Sequence, residues 1–326
     1  MHAEMEFSGQ VSGHDELPVV VLMGPTASGK TELAIKLQQH LPLDIISVDS
    51  VMVYRGMDIG SAKPDADTLL RAPHRLIDIR DPVEVYSAAE FCADARREIQ
   101  AVHAAGRIPL LTGGTMLYFR ALLYGLSELP TADAATRKKL EVEAQEIGWA
   151  GMHQRLSEVD PQAAQRIHPN DSQRIQRALE VYELTGLPLS SLQQQDRDRL
   201  VLPHPVIKLA VAPAQRSVLH QRIDVRFRQM MEQGWVAEVE ALMARGDLDP
   251  GMPSIRAVGY RQVWELLSGR IDYTNTVEKG IIATRQLAKR QFTWMRSETG
   301  LHCFDSLTPD LDNKVLDLLD SVIGKQ

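Results

Sequence analysis

The sequence predicts an α/β protein: a P-loop parallel sheet core flanked by helices, interrupted by a helical insertion domain. Three observations predict it. The apolar run Val19–Met23 leads directly into GPTASGKT (24–31), which fits the phosphate-binding pattern G-x-x-x-x-G-K-[ST] without a gap. Short apolar, β-branched runs then alternate with segments of helical spacing, as in a parallel sheet covered on both faces. After Pro130 the texture changes to helix-like stretches with few β-branched runs, until VIKLAVA (206–212) resumes the strand pattern.

Taken in order, Val19–Met23 reads as a buried strand and the helix after the glycine loop runs to about residue 40. DIISVDS (44–50) is a second strand, HRLIDI (74–79) a short third, and SAAEFCADARREIQAVHAAG (87–106) a helix stopped by Gly106. RIPLLTGG (107–114) is a strand ending in two glycines before another helix. Residues 131–186 read as helices broken by Pro161 and Pro169, residues 214–296 as further helices, and LHCFDS (301–306) as a last strand before a terminal helix. The expected organisation is a disordered leader over 1–17, a catalytic core from 18–129 and 201–326, and a helical insertion over 130–200.

Composition narrows the function classes. The chain has 326 residues and is 44% hydrophobic, enough for a large core. The acidic first 16 residues lack the basic start and apolar centre of a signal peptide, and no run is long enough to span a bilayer, so a cytoplasmic protein without membrane contact is expected. Cys92 and Cys303 are too few for a disulfide framework and read as core residues. The scattered histidines show no metal-ligand spacing. Net charge is −7, yet residues 201–300 carry 14 basic against 10 acidic groups, a local excess that permits an anionic partner.

The glycine loop is where chemistry is expected. Gly24, Pro25, Thr26, Ala27, Ser28 and Gly29 would wrap an anion, with the N–H groups of the residues other than Pro25 pointing inward and the helix N-terminus adding a favourable partial charge. Lys30 would supply a point charge to the phosphates and the Thr31 hydroxyl a ligand for Mg2+. In open α/β sheets ligands bind beyond the carboxyl ends of strands, where Asp49 and Thr115 fall as well. A carboxylate facing a phosphate loop can orient metal-bound water or take a proton from an acceptor; it can also simply cap a turn. The guanine-reading N-K-x-D is absent, since Asn313-Lys314 precedes Val315-Leu316. A small-molecule kinase with Asp49 as base stays open at this point, as does a non-catalytic nucleotide- or RNA-binding protein.

GPTASGKTELA, DSVMVYRGMDIGSAKP, HRLIDI, GGTMLYFRAL, NDSQRIQRALEVYELTG, SIRAVGYRQ and TRQLAKRQFTWMR occur in this order between about residues 20 and 306. Together they resemble the tRNA dimethylallyltransferases, in their bacterial form without a C-terminal zinc finger. The resemblance implies an enzyme that moves the dimethylallyl group of dimethylallyl diphosphate to N6 of the adenosine 3′ to the anticodon, in tRNAs reading codons that begin with U. It implies Mg2+ as cofactor, the anticodon stem-loop of tRNA as partner, and, as expected here, a monomer. Adenylate prenyltransferases share the loop and stay open as a relative that modifies free nucleotides.

The resemblance further implies site residues. Asp49 would be the base, with Lys30 and Thr31 acting on the diphosphate and Asp49 also reaching the metal through a water. Contacts with tRNA would come from Asp49, Ser50, Val51, Met52, Thr115 and Arg137. The segments Gln173, Arg174, Ile175, Gln176, Arg177 and Arg256, Ala257, Val258, Gly259, Tyr260, Arg261 would add more. Met52 departs from the family pattern D-S-x-Q. Arg222 and Arg226 lie four apart on one helical face, and Arg226 is the candidate for reaching back to the diphosphate. Arg285, Lys289 and Arg296 form a basic stripe opposite the apolar stripe Ile281, Ala288, Phe292 and Met295, with Trp294 read as core.

Overall fold

The computed structural model describes residues 17–125, 129–195 and 202–323. Six strands form one wholly parallel sheet: β1 (Val19–Met23), β2 (Leu43–Val48), β3 (His74–Arg75), β4 (Ile108–Gly113), β5 (Val206–Ala212) and β6 (Leu301–Asp305), in the order β3-β2-β4-β1-β5-β6. β1 is buried at every residue because it lies inside the sheet with both faces covered. The sheet reverses direction of growth between β1 and β4, the position at which open α/β sheets take ligands.

The helices are α1 (Lys30–His40), α2 (Ala66–Arg71), α3 (Ala88–Ala104), α4 (Met116–Tyr124), α5 (Ala134–Val159), α6 (Pro161–Arg166), α7 (Ser172–Thr185), α8 (Leu189–Gln195), α9 (Arg216–Glu232), α10 (Trp235–Ala244), α11 (Tyr260–Leu267), α12 (Tyr273–Met295) and α13 (Leu311–Ile323). The chain divides into two compact units, one of residues 1–119 with 204–326 and one of residues 120–203. In the first, Leu33, Ala34 and Leu37 of α1 and Val315 and Leu319 of α13 pack with the sheet residues Val20, Leu22, Ile45, Leu110 and Leu209. In the second, Leu140, Met152 and Leu156 of α5 meet Ile175, Leu179 and Val181 of α7. Burying such side chains stabilises each core by about 1.5–3 kcal/mol per residue.

Local chemistry sets the boundaries. Ser87 and Glu90 close a reciprocal capping box at the start of α3. Asp133 and Asp171 accept from the Thr136 and Arg174 amides and start α5 and α7. The helical run breaks at both prolines, as expected: α5 stops at Val159 and α6 begins with Pro161, where a missing N–H costs nothing, and Pro169 lies between α6 and α7. Gly148 (φ 71°) adds a kink inside α5.

Two expectations are corrected. HRLIDI pairs as a strand only at His74 and Arg75, because Leu76 (φ 63°) and Asp78 (φ 56°) adopt left-handed backbone that no ladder accommodates. Cys92 is buried but Cys303 is exposed, since β6 is an edge strand with partly open faces. The expected leader lies, up to residue 16, outside the described residues. Among the described residues no helix is long and apolar enough to cross a membrane.

Candidate active site

The glycine loop joins β1 to α1. Gly29 has φ 95°, a conformation costly for any other residue, and Gly24 approaches β5 so closely that a Cβ would lie 2.4 Å from the Val211 carbonyl oxygen. Ala27 also takes left-handed backbone (φ 62°), a local strain that the surrounding loop holds in place. The amides of the first turn of α1 have no intrahelical acceptor and carry the positive end of the helix dipole. Thr31 is exposed in that turn. The Ser28 hydroxyl is fully buried and has no hydrogen-bond partner among the described residues.

Two cations lie at this loop with little to balance them. Lys30 is half-buried, and burial, the nearby Arg226 guanidinium and the opposing effect of Asp49 leave its pKa lowered from 10.5 to about 7. Burial also lowers the pKa of Arg226, with Asp49 acting against it. The Lys30 ammonium donates to the Pro25 carbonyl oxygen at 2.8 Å. Among the described residues neither cation has a carboxylate within ion-pair distance, whereas Arg222 donates to Ser306 at 3.2 Å and Asp224 pairs with Arg228 at 2.7 Å. Arg226 lines two cavities of about 610 and 700 Å³, the first shared with Ser28 and Gly29 and the second with Asp58 and Lys63. Like charges buried together without a counter-ion favour an anionic ligand.

Asp49 follows the last residue of β2. Its Oδ1 accepts from the Val51 and Met52 amides at 2.8 and 3.2 Å, so one oxygen caps the turn that DSVM makes. Thr115, just beyond β4, binds the same turn: its amide donates to the Val48 carbonyl at 3.2 Å and its Oγ1 accepts from the Ser50 amide at 3.1 Å. The capping role and a role in proton transfer are therefore compatible, one on each carboxylate oxygen.

The residues that hold this region carry little or no local mark in the sequence. Glu238 on α10 accepts from the consecutive amides of Asp58, Ile59 and Gly60 at 2.9, 2.7 and 3.2 Å, and from the Tyr260 hydroxyl at 2.6 Å. Lys63 spans the same loop, donating to the Tyr54 carbonyl and pairing with Asp58 and Asp78. Nothing local in VAEVEAL marks Glu238, because the amides it binds are about 180 residues away and Tyr260 lies on another helix. Gln291 had a usable signal: it is three residues from Ala288 and four from Met295, on the buried face of α12 rather than the basic one.

Several expected RNA contacts take different places. Ile175 and Tyr260 are fully buried, one in the helical unit and the other against Trp235, and Gly259 is buried beside them with a Cβ position only 2.0 Å from the indole. Buried side chains present nothing to an RNA. Arg137 and Arg177 both bind the buried Glu180, at 2.9 and 2.7 Å, and Arg177 also donates to the Pro130 carbonyl. Burial alone would raise the Glu180 pKa, but the hydrogen bonds from Arg137 and Arg177 hold it below its ordinary value. Gln176 donates to the Arg137 carbonyl and to Glu141. Arg174 is 72% exposed and 3.4 Å from Asp171. Gln173 and Arg256 are exposed, Ala257 and Val258 half-buried, and Arg261 pairs with Glu265 on the surface. Trp294 is half-buried rather than core.

Comparison with known proteins places this geometry in context. Residues 52–298 match the family described as IPP transferase, a match that begins after the glycine loop and Asp49. Solved structures also match, over most of the chain. The tRNA isopentenylpyrophosphate transferase of Bacillus halodurans is 36% identical, with 94% of this chain and 96% of that one covered and a TM-score of 0.69. The tRNA delta(2)-isopentenylpyrophosphate transferase of Staphylococcus epidermidis is 33% identical over 94% and 99%, with a TM-score of 0.67. A eukaryotic dimethylallyltransferase acting on tRNA is 25% identical over 95% and 80%, with a TM-score of 0.79.

Proposed function

The chain belongs to the IPP transferase family, an enzyme that transfers an isopentenyl group to tRNA, and on that footing we propose that the acceptor is N6 of the adenosine 3′ to the anticodon. The donor in this reading is dimethylallyl diphosphate, and the tRNAs are those reading codons that begin with U. The observation that carries the donor site is the pair Lys30 and Arg226: two cations with depressed pKa values at a glycine loop, without a carboxylate in ion-pair reach.

The chemistry follows from charge. Adenine N6 is a weak nucleophile, so the reaction depends on the allylic C–O bond breaking readily. Charge builds on the departing diphosphate, where the loop amides, the Ser28 hydroxyl, Lys30 and Arg226 would stabilise it. Asp49 would accept the N6 proton on the oxygen not used for the turn. Excluding water from the loop strengthens each of these interactions.

Family membership implies magnesium-dependent catalysis. The donors present suit a hard dication that keeps much of its water: the exposed Thr31 hydroxyl, with Asp49 reaching it through a water. Bound there, Mg2+ would neutralise diphosphate charge as the C–O bond breaks.

For tRNA the exposed candidates are Gln173, Arg174, Arg256 and Arg261, with Ser50, Met52 and Thr115 at the acceptor end. Arg137 and Arg177 would act through donors left over from Glu180. The base must leave its stack to reach the loop, which an anticodon loop permits.

The test is incubation of the protein with dimethylallyl diphosphate, Mg2+ and unmodified tRNA in the absence of ATP, followed by mass spectrometry of the digested nucleosides. N6-prenylated adenosine at the position 3′ to the anticodon is expected. Prenylation of free AMP in preference to tRNA, or product at another base, would overturn the reading.

A further inference from the structure

Gln291 joins two loops that the reaction must keep in register. Its Oε1 accepts from the Thr26 amide of the glycine loop at 3.0 Å, and its Nε2 donates to the Gly114 carbonyl at 2.7 Å. The side chain is 6% exposed. A Cβ on Gly114 would lie 2.5 Å from Nε2, so the amide is pressed against the backbone after β4. The next residue, Thr115, binds the Val48 carbonyl and the Ser50 amide, and Asp49 stands between those two. An unbroken chain of contacts thus runs from Thr26 through Gln291, Gly114 and Thr115 to the turn of Asp49. The Thr26 amide, engaged by Gln291, is therefore not available to an anion.

We propose that Gln291 is a positioning residue that fixes the separation between the diphosphate loop and the acceptor side of the site, an inference that rests on the prenyl-transfer reading. The orientation of its amide is determined, because reversing it would set Nε2 against the Thr26 N–H and Oε1 against the Gly114 carbonyl. Leaving either backbone group unpaired in this buried place is costly. A spacer of this kind matters for a cation-forming reaction. Once the C–O bond of dimethylallyl diphosphate breaks, the allyl carbon bonds to whichever nucleophile is nearest. With N6 in place the products are prenylated adenosine, diphosphate and a proton. With N6 displaced, water adds instead, giving dimethylallyl alcohol, diphosphate and a proton. A displacement of about 1 Å is enough to cost such a reaction ~100-fold.

The measurement is the number of diphosphates released per adenosine prenylated, with full-length protein, Mg2+, dimethylallyl diphosphate and unmodified tRNA. Wild type is expected to release close to one. Gln291→Met keeps the length and burial and removes both hydrogen bonds; it is expected to release at least about threefold more diphosphate than it transfers. In that variant kcat for transfer should fall while KM for the diphosphate changes less than about twofold. Gly114→Ala pushes the amide away from the opposite side and should uncouple in the same way, so the result does not depend on one variant. A folding defect alone lowers the amount of active protein and leaves the ratio at one. A ratio of one in either folded variant overturns the inference. Absence of transfer by the wild type would instead overturn the reading on which it rests.

Discussion

The Lys30 ammonium donates to the carbonyl oxygen of Pro25 at 2.8 Å, folding back onto its own loop. That contact is the only hydrogen bond found for this ammonium among the described residues, and a neutral carbonyl compensates poorly for burial beside Arg226. The loop therefore holds positive charge that no carboxylate among the described residues pairs with, and proton binding should report the arrival of an anion.

Diphosphate binding is expected to draw a proton onto Lys30. With the pKa at about 7, Lys30 is mostly neutral at pH 8, and an anion beside it restores the charged form. Uptake attributable to Lys30 should be larger at pH 8 than at pH 6. Calorimetry in buffers of different ionisation enthalpy reads this uptake, and Lys30→Met should remove it. The same shift affects stability. The folded pKa lies below the unfolded value of 10.5, so the cost of the buried charge is fully present below pH 7 and declines as pH rises from 7 to 10.5. Lys30→Met should raise the melting temperature more at pH 6 than at pH 9.

Asp49 has two separable roles, and two substitutions divide them. Asparagine retains an oxygen for the Val51 and Met52 amides but cannot take a proton. Asp49→Asn should lower kcat by ~10²–10⁴-fold with little change in thermal stability. Asp49→Ala should lose that activity and, in addition, about 0.5–2 kcal/mol of stability from the missing cap. Equal activity in the asparagine variant and the wild type would remove Asp49 from the proton transfer.

Glu180 organises the helical unit. Its carboxylate is fully buried and binds Arg137, Arg177 and the Asp133 amide. Removing one partner of a fully buried pair costs about 3–5 kcal/mol. The arginines here are 45% and 29% exposed and regain some hydration, so Glu180→Ala should cost roughly 2–3 kcal/mol by denaturant titration. Because the folded pKa of Glu180 is depressed, its contribution is present above the ordinary glutamate pKa and is lost as pH falls through the folded value. The penalty of Glu180→Ala should shrink accordingly in acid.

Tyr260 separates a structural role from an RNA contact. Its ring packs on Trp235 and its hydroxyl donates to Glu238 at 2.6 Å. Tyr260→Phe should cost about 1.5–3 kcal/mol, as for a hydrogen bond to a charged group, and leave the dissociation constant for tRNA within about twofold. A large loss of tRNA affinity in a variant of unchanged stability would return Tyr260 to the RNA surface.

Much of the fold was legible because its signals are local. Val19–Met23 and Val206–Ala212 were bounded to the residue because each run is flanked by proline or glycine. The glycine loop, Asp49 at a strand end and Thr115 after two glycines were legible for the same reason: parallel topology brings consecutive strand ends to one edge. HRLIDI misled because its apolar spacing is compatible with a strand, while the left-handed backbone at Leu76 and Asp78 arises with contacts such as that between Asp78 and Lys63.

What the sequence by itself determined, then, is the order of the elements, the anion loop and the nature of the chemistry, since these depend on residue types and short spacings. Only the tertiary structure decided which charges are spent within the protein. Arg137 and Arg177 look like RNA-binding arginines in QRIQR and its partner helix, yet both meet Glu180. Arg226 looks like any helix-surface arginine, yet it is half-buried and close enough to Lys30 to lower its pKa. Glu238 and Gln291 act on backbone amides about 180 and 265 residues away. Their roles follow from burial and from hydrogen-bond partners brought together by the sheet, and no local pattern encodes either.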